Sequence, residues 1–186
     1  MSLRRQLAAA GTFVILPRME SLYTETVPVF THFLTNLLTL IQKAEVHAKK
    51  KKIKPSTYLS KRLYKNMFTF TQQVQYAYFL ALDATSNLSG KKSPEFAYDE
   101  KSIAELKKSV RRTLTFLKSI KPSDLKGARQ KKVPLFFDPK RKMPAPKYVR
   151  YLALPDFFFH YTICYAILRH NGVPLGKNHF IGGGIL

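Results

Sequence analysis

The chain has 186 residues and carries 32 Lys and Arg against 11 Asp and Glu, a formal charge of +21. Its 45% apolar content, with 14 Phe and 10 Tyr, excludes a disordered chain, and at this length one core buries roughly 70% of the surface the unfolded form exposes. A lone cysteine, Cys164, excludes an intrachain disulfide framework and favours an intracellular home, while the apolar runs break before the roughly 20 residues a bilayer span needs, so no membrane span is expected.

Residues 1–18 contain Arg4, Arg5 and Arg18 and no acidic residue, the bias of a mitochondrial presequence. An unstructured tail, or a natural start at Met19, stands level with that reading. The domain is expected over 19–182, in the cytoplasm, or in the mitochondrion if 1–18 is a presequence. From Val27, Phe30, Phe33, Leu34, Leu37, Leu40, Ile41 and Ala44 recur at three- and four-residue spacing and predict a helix to about Lys50, with Pro28 in its first turn. Pro55-Ser56 restarts the chain, and Leu59, Leu63, Met67, Phe70, Val74, Ala77 and Ala81 predict a second long helix ending near Asn87 to Gly90. Ile103, Leu106, Val110, Leu114 and Leu117 make a third, amphipathic stripe that Pro122 closes.

Gly127 to Pro146 breaks the period. Val133 to Phe137 reads as a short strand and Asp138-Pro139 as a turn, so the crossover is irregular or contains a hairpin. The last helix is expected from about Lys147 to Arg169, kinked at Pro155, with Asn171-Gly172 and Pro174 as its stop. Residues 183–186 read as a flexible tail. The fold class is therefore all-α, a four-helix bundle, whose ligand sites lie between facing helices.

Glycine-rich phosphate loops, G-x-S-x-G, H-E-x-x-H and Cys-x-x-Cys are all missing from the sequence. Of the histidines, His32 and His47 are fifteen residues apart, more than ~20 Å along a helix, and cannot share an ion. His160 and Cys164, four apart, can present two metal ligands from one face; a hydrogen-bonded core imidazole and a small buried thiol are the commoner roles for such residues. Asp156, four residues before His160, can orient that imidazole. His47 continues the buried face of Leu40 and Ala44, which leads to the expectation that His47 and His160 face one interior cavity with Gln73 or Gln75 as hydrogen-bond partner. Zinc or nickel is the divalent metal such a site would take. Arg169, in the last turn, either meets free helix carbonyls or joins His47, Gln73, Gln75 and His160 around a ligand. The positive charge leaves nucleic acid or an anionic surface open as partners, although the basic clusters, such as Lys49 to Lys52 and Lys140 to Lys142, fall mostly at helix ends and in loops. A homodimer is also open.

Three stretches carry a resemblance. They are Lys43-Ala44-Glu45-Val46-His47-Ala48, Met67-Phe68 with Gln72-Gln73-Val74-Gln75, and the segment from Pro155-Asp156-Phe157-Phe158-Phe159-His160 through Asn171-Gly172-Val173-Pro174-Leu175-Gly176. Over about Ser21 to Gly182 the chain resembles the domain-of-unknown-function family nineteen-ninety-three, grouped with the DinB-like helical bundles. The resemblance implies that bundle fold, in a superfamily that includes metal-dependent enzymes and thiol transferases. The metal-binding members use one histidine from an earlier helix and a His-x-x-x-His pair on a later one; here Cys164 stands four residues after His160. Asp156 and Asn66 also depart from the family pattern. The leading expectation is a bundle that binds a small ligand or partner without catalysis, lined by Phe157, Phe158, Phe159 and Tyr165. A metal- or thiol-dependent enzyme using His47 and His160 is the alternative, and binding to nucleic acid or anionic surfaces is a second.

Overall fold

The computed structural model describes residues 21–183; the basic extension at 1–18, the alternative start at Met19 and the tail after Gly183 lie outside the described residues. Helix α1 runs Leu22–Lys50. It begins ahead of the expected Val27 because Ser21 caps it, its side chain accepting from Thr24 N–H, and because Leu22 and Thr26 are buried. Pro28 therefore lies inside the helix and not in its first turn. A chain beginning at Met19 keeps both the cap and Leu22, so it is expected to melt cooperatively within a few degrees of the full chain; a broad, non-cooperative melt would contradict this.

The second helix is shorter than its apolar stripe suggests. Pro55–Tyr58 makes a single 3₁₀ turn, and α2 starts only at Phe70, running Phe70–Ser89. Thr69 and Gln72 form a reciprocal capping box that fixes the start, and Phe70 N–H donates to Lys61 O while Thr71 N–H donates to Leu59 O, folding the intervening segment back on itself. Leu63 is accordingly exposed. Helix α3, Ile103–Ser119, is where its stripe predicts, with Ser102 as cap.

The crossover contains the hairpin. Strand β1, Lys132–Leu135, pairs antiparallel with β2, Asp138–Pro144, with Val133 opposite Met143 and a register shift at Pro134/Leu135. Helix α4, Ala145–Tyr148, follows directly, then a wide π turn over Val149–Ala153, then α5, Leu154–His170. Where a kink at a mid-helix Pro155 is expected, the departure from α geometry is instead this π turn just upstream, where Leu154 N–H donates to Val149 O five residues back, and the proline falls in the opening turn of α5. A short helix α6, Lys177–Ile181, had no periodic signal. It is pinned by Asn36, whose Nδ2 donates to His179 O and Phe180 O, and by Tyr161 OH donating to Phe180 O.

Partner pairs give the directions. Gln73 meets His160 and Asp83 meets Tyr148, so α2 and α5 are antiparallel. Glu45 near the end of α1 pairs with Lys107 near the start of α3. Phe30 packs on Phe157 and Phe33 on Tyr161, while His47 lies beside Gly172, so α1 and α5 run together. Helices α2 and α3 are then parallel, which is why residues 90–102 form a long return. The helical bundle closes on Phe30, Leu34, Leu37, Ile41, Val74, Tyr78, Val110, Leu117, Phe157, Tyr161 and Cys164, all fully buried. By length and composition alone, Ala145–His170 is apolar enough to cross a membrane. The same composition serves a core helix, and Phe157, Tyr161, Cys164, Ile167 and Leu168 are spent there on the bundle interior.

Candidate functional site

An aromatic cleft runs beside α2. Gln72, Gln75, Tyr76 and Phe79 stand at i, i+3, i+4 and i+7, one face of a helix, and with Tyr98 and Phe136 they line a cavity of about 280 Å³. Phe79 is the hub: its ring centroid lies 6.0 Å from Tyr76, 6.3 Å from Tyr98 and 5.3 Å from Phe136, each near edge-to-face, the arrangement aromatic quadrupoles favour. Phe136 arrives from the bend of the hairpin. Tyr98 arrives from the long 90–102 return with φ +55, a left-handed conformation that costs a bulky residue about 1–3 kcal/mol. Its ring is held parallel to Tyr78 at 5.6 Å, and it is 42% exposed at the mouth.

Behind the cleft lies a polar anchor. Glu100 accepts from Gln75 Nε2 at 2.7 Å and from Tyr78 OH at 2.8 Å. Burial works to raise this carboxyl, but hydrogen bonds from Ser109, Gln75, a backbone amide and Tyr78 together hold it below the ordinary carboxylate range, so it stays ionised. Burial, and then the bond to Glu100, push the Tyr78 phenol up.

His160 occupies the opposite side of Tyr76. It is 6% exposed, stacked on Tyr76 at 4.8 Å and on Phe68 at 6.2 Å. Its Nδ1 is 2.6 Å from Gln73 Oε1; Gln73 Nε2 donates to Phe68 O, which turns the amide oxygen toward the ring and makes Nδ1 the donor. Asp156 Oδ1 lies 3.5 Å from Nε2. The expected pairing of His160 with Gln73 is present, whereas Gln75 belongs to the separate Glu100 cluster.

His47 is not part of either. Its Nδ1 meets Tyr58 OH at 2.6 Å, in an open groove with Lys43, Val46, Lys50 and Pro174. The expectation that His47 and His160 share an interior cavity is corrected, and the reason is helix rise: His47 lies beside Gly172, past the end of α5, and His160 to His170 alone is roughly 15 Å of helix. Cys164 is fully buried, and burial pushes its thiol well above its ordinary range, so it packs as a small hydrophobe. Among the described residues no three of His, Cys, Asp and Glu form a group able to hold an ion, so His47, His160 and Cys164 do not fit zinc or nickel as a joint site. Arg169 is exposed in the last turn of α5, away from the cleft lining. The expected aromatic lining is also corrected: Phe157 is core, Phe159 is 52% exposed, and Phe158 and Tyr165 pack on Phe33 and Phe180. The spacing of Gln72, Gln75, Tyr76 and Phe79 was a readable signal for this cleft; nothing local marked Tyr98 or Phe136.

A family model described as a domain of unknown function (DUF1993) matches residues 22–181. Among solved structures, a DinB family member protein from Shewanella denitrificans is similar at 30% identity and a TM-score of 0.84, over 89% of this chain and 94% of that one. No curated protein matches.

Proposed function

Because this chain belongs to the DUF1993 family of domains of unknown function, a membership that carries a helical bundle but no chemistry, we propose from the site itself that it binds a small planar ligand in the α2 cleft without catalysis. The observation that carries this reading is Tyr98, a bulky residue kept at φ +55 with its ring at the cleft mouth. Strain of that kind persists where surrounding structure over-determines it, and it concentrates at ligand sites. Aromatic walls with a few convergent polar groups are the usual composition of a small-molecule pocket, and Gln72 and Gln75 supply those groups here. The alternative of a metal- or thiol-dependent enzyme has lost its joint site, with His47 and His160 apart and the Cys164 thiol sealed in the core.

Indole, a flat uncharged ring, is a suitable probe. It is expected to shift the NMR resonances of Tyr76, Phe79 and Tyr98. Tyr98→Gly is expected to weaken that binding at least roughly tenfold while leaving the fold intact, because relief of about 1–3 kcal/mol of backbone strain offsets part of what is lost with its ring contacts to Tyr78, Phe79 and Phe96 and its apolar burial. Indole binding that survives Tyr98→Gly unchanged would contradict the assignment.

A further inference from the structure

The two glutamines in the cleft have their amides oriented by chemistry. Thr69 N–H can only donate, and it donates to Gln72 Oε1 at 2.9 Å, so Gln72 turns its Nε2 outward as a donor. The Glu100 carboxylate can only accept, and Gln75 Nε2 donates to it at 2.7 Å, so Gln75 turns its Oε1 away from Glu100 as an acceptor. Neither Gln72 Nε2 nor Gln75 Oε1 has a hydrogen-bond partner among the described residues. Gln75 is only 9% exposed and Gln72 sits at the rim; at i and i+3 their Cβ atoms are roughly 5–6 Å apart on one helix face.

One donor and one acceptor, side by side between aromatic rings, is the complement of a cis-amide edge. We propose that the cleft selects a flat six-membered heterocycle carrying an N–H beside a C=O, as in the uracil class of rings. The ring carbonyl accepts from Gln72 Nε2, the ring N–H donates to Gln75 Oε1, and the flat faces lie against Tyr76, Phe79, Tyr98 and Phe136. This deepens the ligand-site reading above and rests on it. Glu100 is the positioning residue: it touches no ligand, but its ionised carboxylate obliges Gln75 to present oxygen. A guest with its ring N–H methylated sets a methyl group against Gln75 Oε1 and leaves that oxygen unpaired, a loss comparable to a buried hydrogen bond.

The test is calorimetric titration of the full chain with 1-methyluracil, 1,3-dimethyluracil and indole. The expected result is that 1-methyluracil binds at least about tenfold tighter than 1,3-dimethyluracil, a difference of about 1.4 kcal/mol. Glu100→Gln, which keeps the side-chain size but frees the Gln75 amide to turn over, should bring that ratio toward one while indole binding is kept. Gln75→Leu, which removes the acceptor itself, should likewise bring the ratio toward one. Equal binding of all three probes by the unaltered chain would overturn the edge selectivity and leave the cleft as a ligand site; failure of all three to bind would overturn the ligand-site reading and this proposal with it. A ratio that stays at tenfold in both variants would overturn the role given to Gln75 and Glu100.

Discussion

Phe157→Ala is expected to destabilise the fold by about 3–5 kcal/mol, measured as a lowered urea midpoint with an unchanged slope. The side chain is 0% exposed and stands where α1 and α5 meet, edge-on to Phe30 at 4.9 Å and parallel to Tyr161 at 6.2 Å. Truncating it removes those ring contacts and leaves a cavity that helices pinned on both sides cannot close. Against a total stability of about 5–15 kcal/mol that is a large fraction. The neighbouring Phe159, 52% exposed, provides the control, and Phe159→Ala should cost less than about 1 kcal/mol. A mild effect of Phe157→Ala on stability, coupled to a large effect on ligand binding, would restore Phe157 as a ligand-lining residue and undo its assignment to the core.

Tyr148→Phe is expected to cost about 1.5–3 kcal/mol at neutral pH, the range for a hydrogen bond to a charged group, and less in acid. Tyr148 OH donates to Asp83 Oδ2 at 2.6 Å, tying α4 to the last turns of α2, and Asn87 Nδ2 donates to Asp83 Oδ1. Burial raises the Asp83 carboxyl above its ordinary range, and the bonds from Tyr148 and Asn87 only partly counter it. A raised carboxyl binds its proton more tightly in the folded chain than in the unfolded one, so its contribution to stability is greatest in acid and declines as pH rises through the folded value. Deleting the Tyr148 hydroxyl removes a bond that favours the charged form and moves that value further up. The difference in urea midpoint between the unaltered chain and Tyr148→Phe should therefore widen from pH 4 to pH 7. A gap that narrows over that interval would show that Asp83 is not the group responsible.

Much of the bundle was legible in the sequence because the helical elements bury stripes at a fixed period. The α3 stripe from Ile103 to Leu117 marked its helix within a residue or two, and the Asn171-Gly172 stop matches the end of α5, where Gly172 takes φ +87. The second helix was read too long because Leu59, Leu63 and Met67 continue the period of α2 by accident; the decisive signal, Thr69 and Gln72 as a capping box, is a matter of two side chains and not of periodicity.

The candidate site was legible in part for the same reason. By itself, the sequence determined a helical bundle, most of the buried stripes of its helices, a crossover that is irregular or contains a hairpin, and a glutamine of the second helix as partner for His160, since each depends on local spacing or on the need of a buried imidazole for a partner. Only the tertiary structure decided that His47 and His160 stand apart, that Gln73 and Gln75 serve different clusters, and that the cleft is closed by Tyr98 and Phe136. Neighbouring residues on a helix point about 100° apart, so identical chemistry two positions away can face another environment. The rings that complete the cleft come from a long return and a hairpin bend whose positions are set by packing against Tyr78 and Phe79, contacts between distant segments that no local pattern encodes.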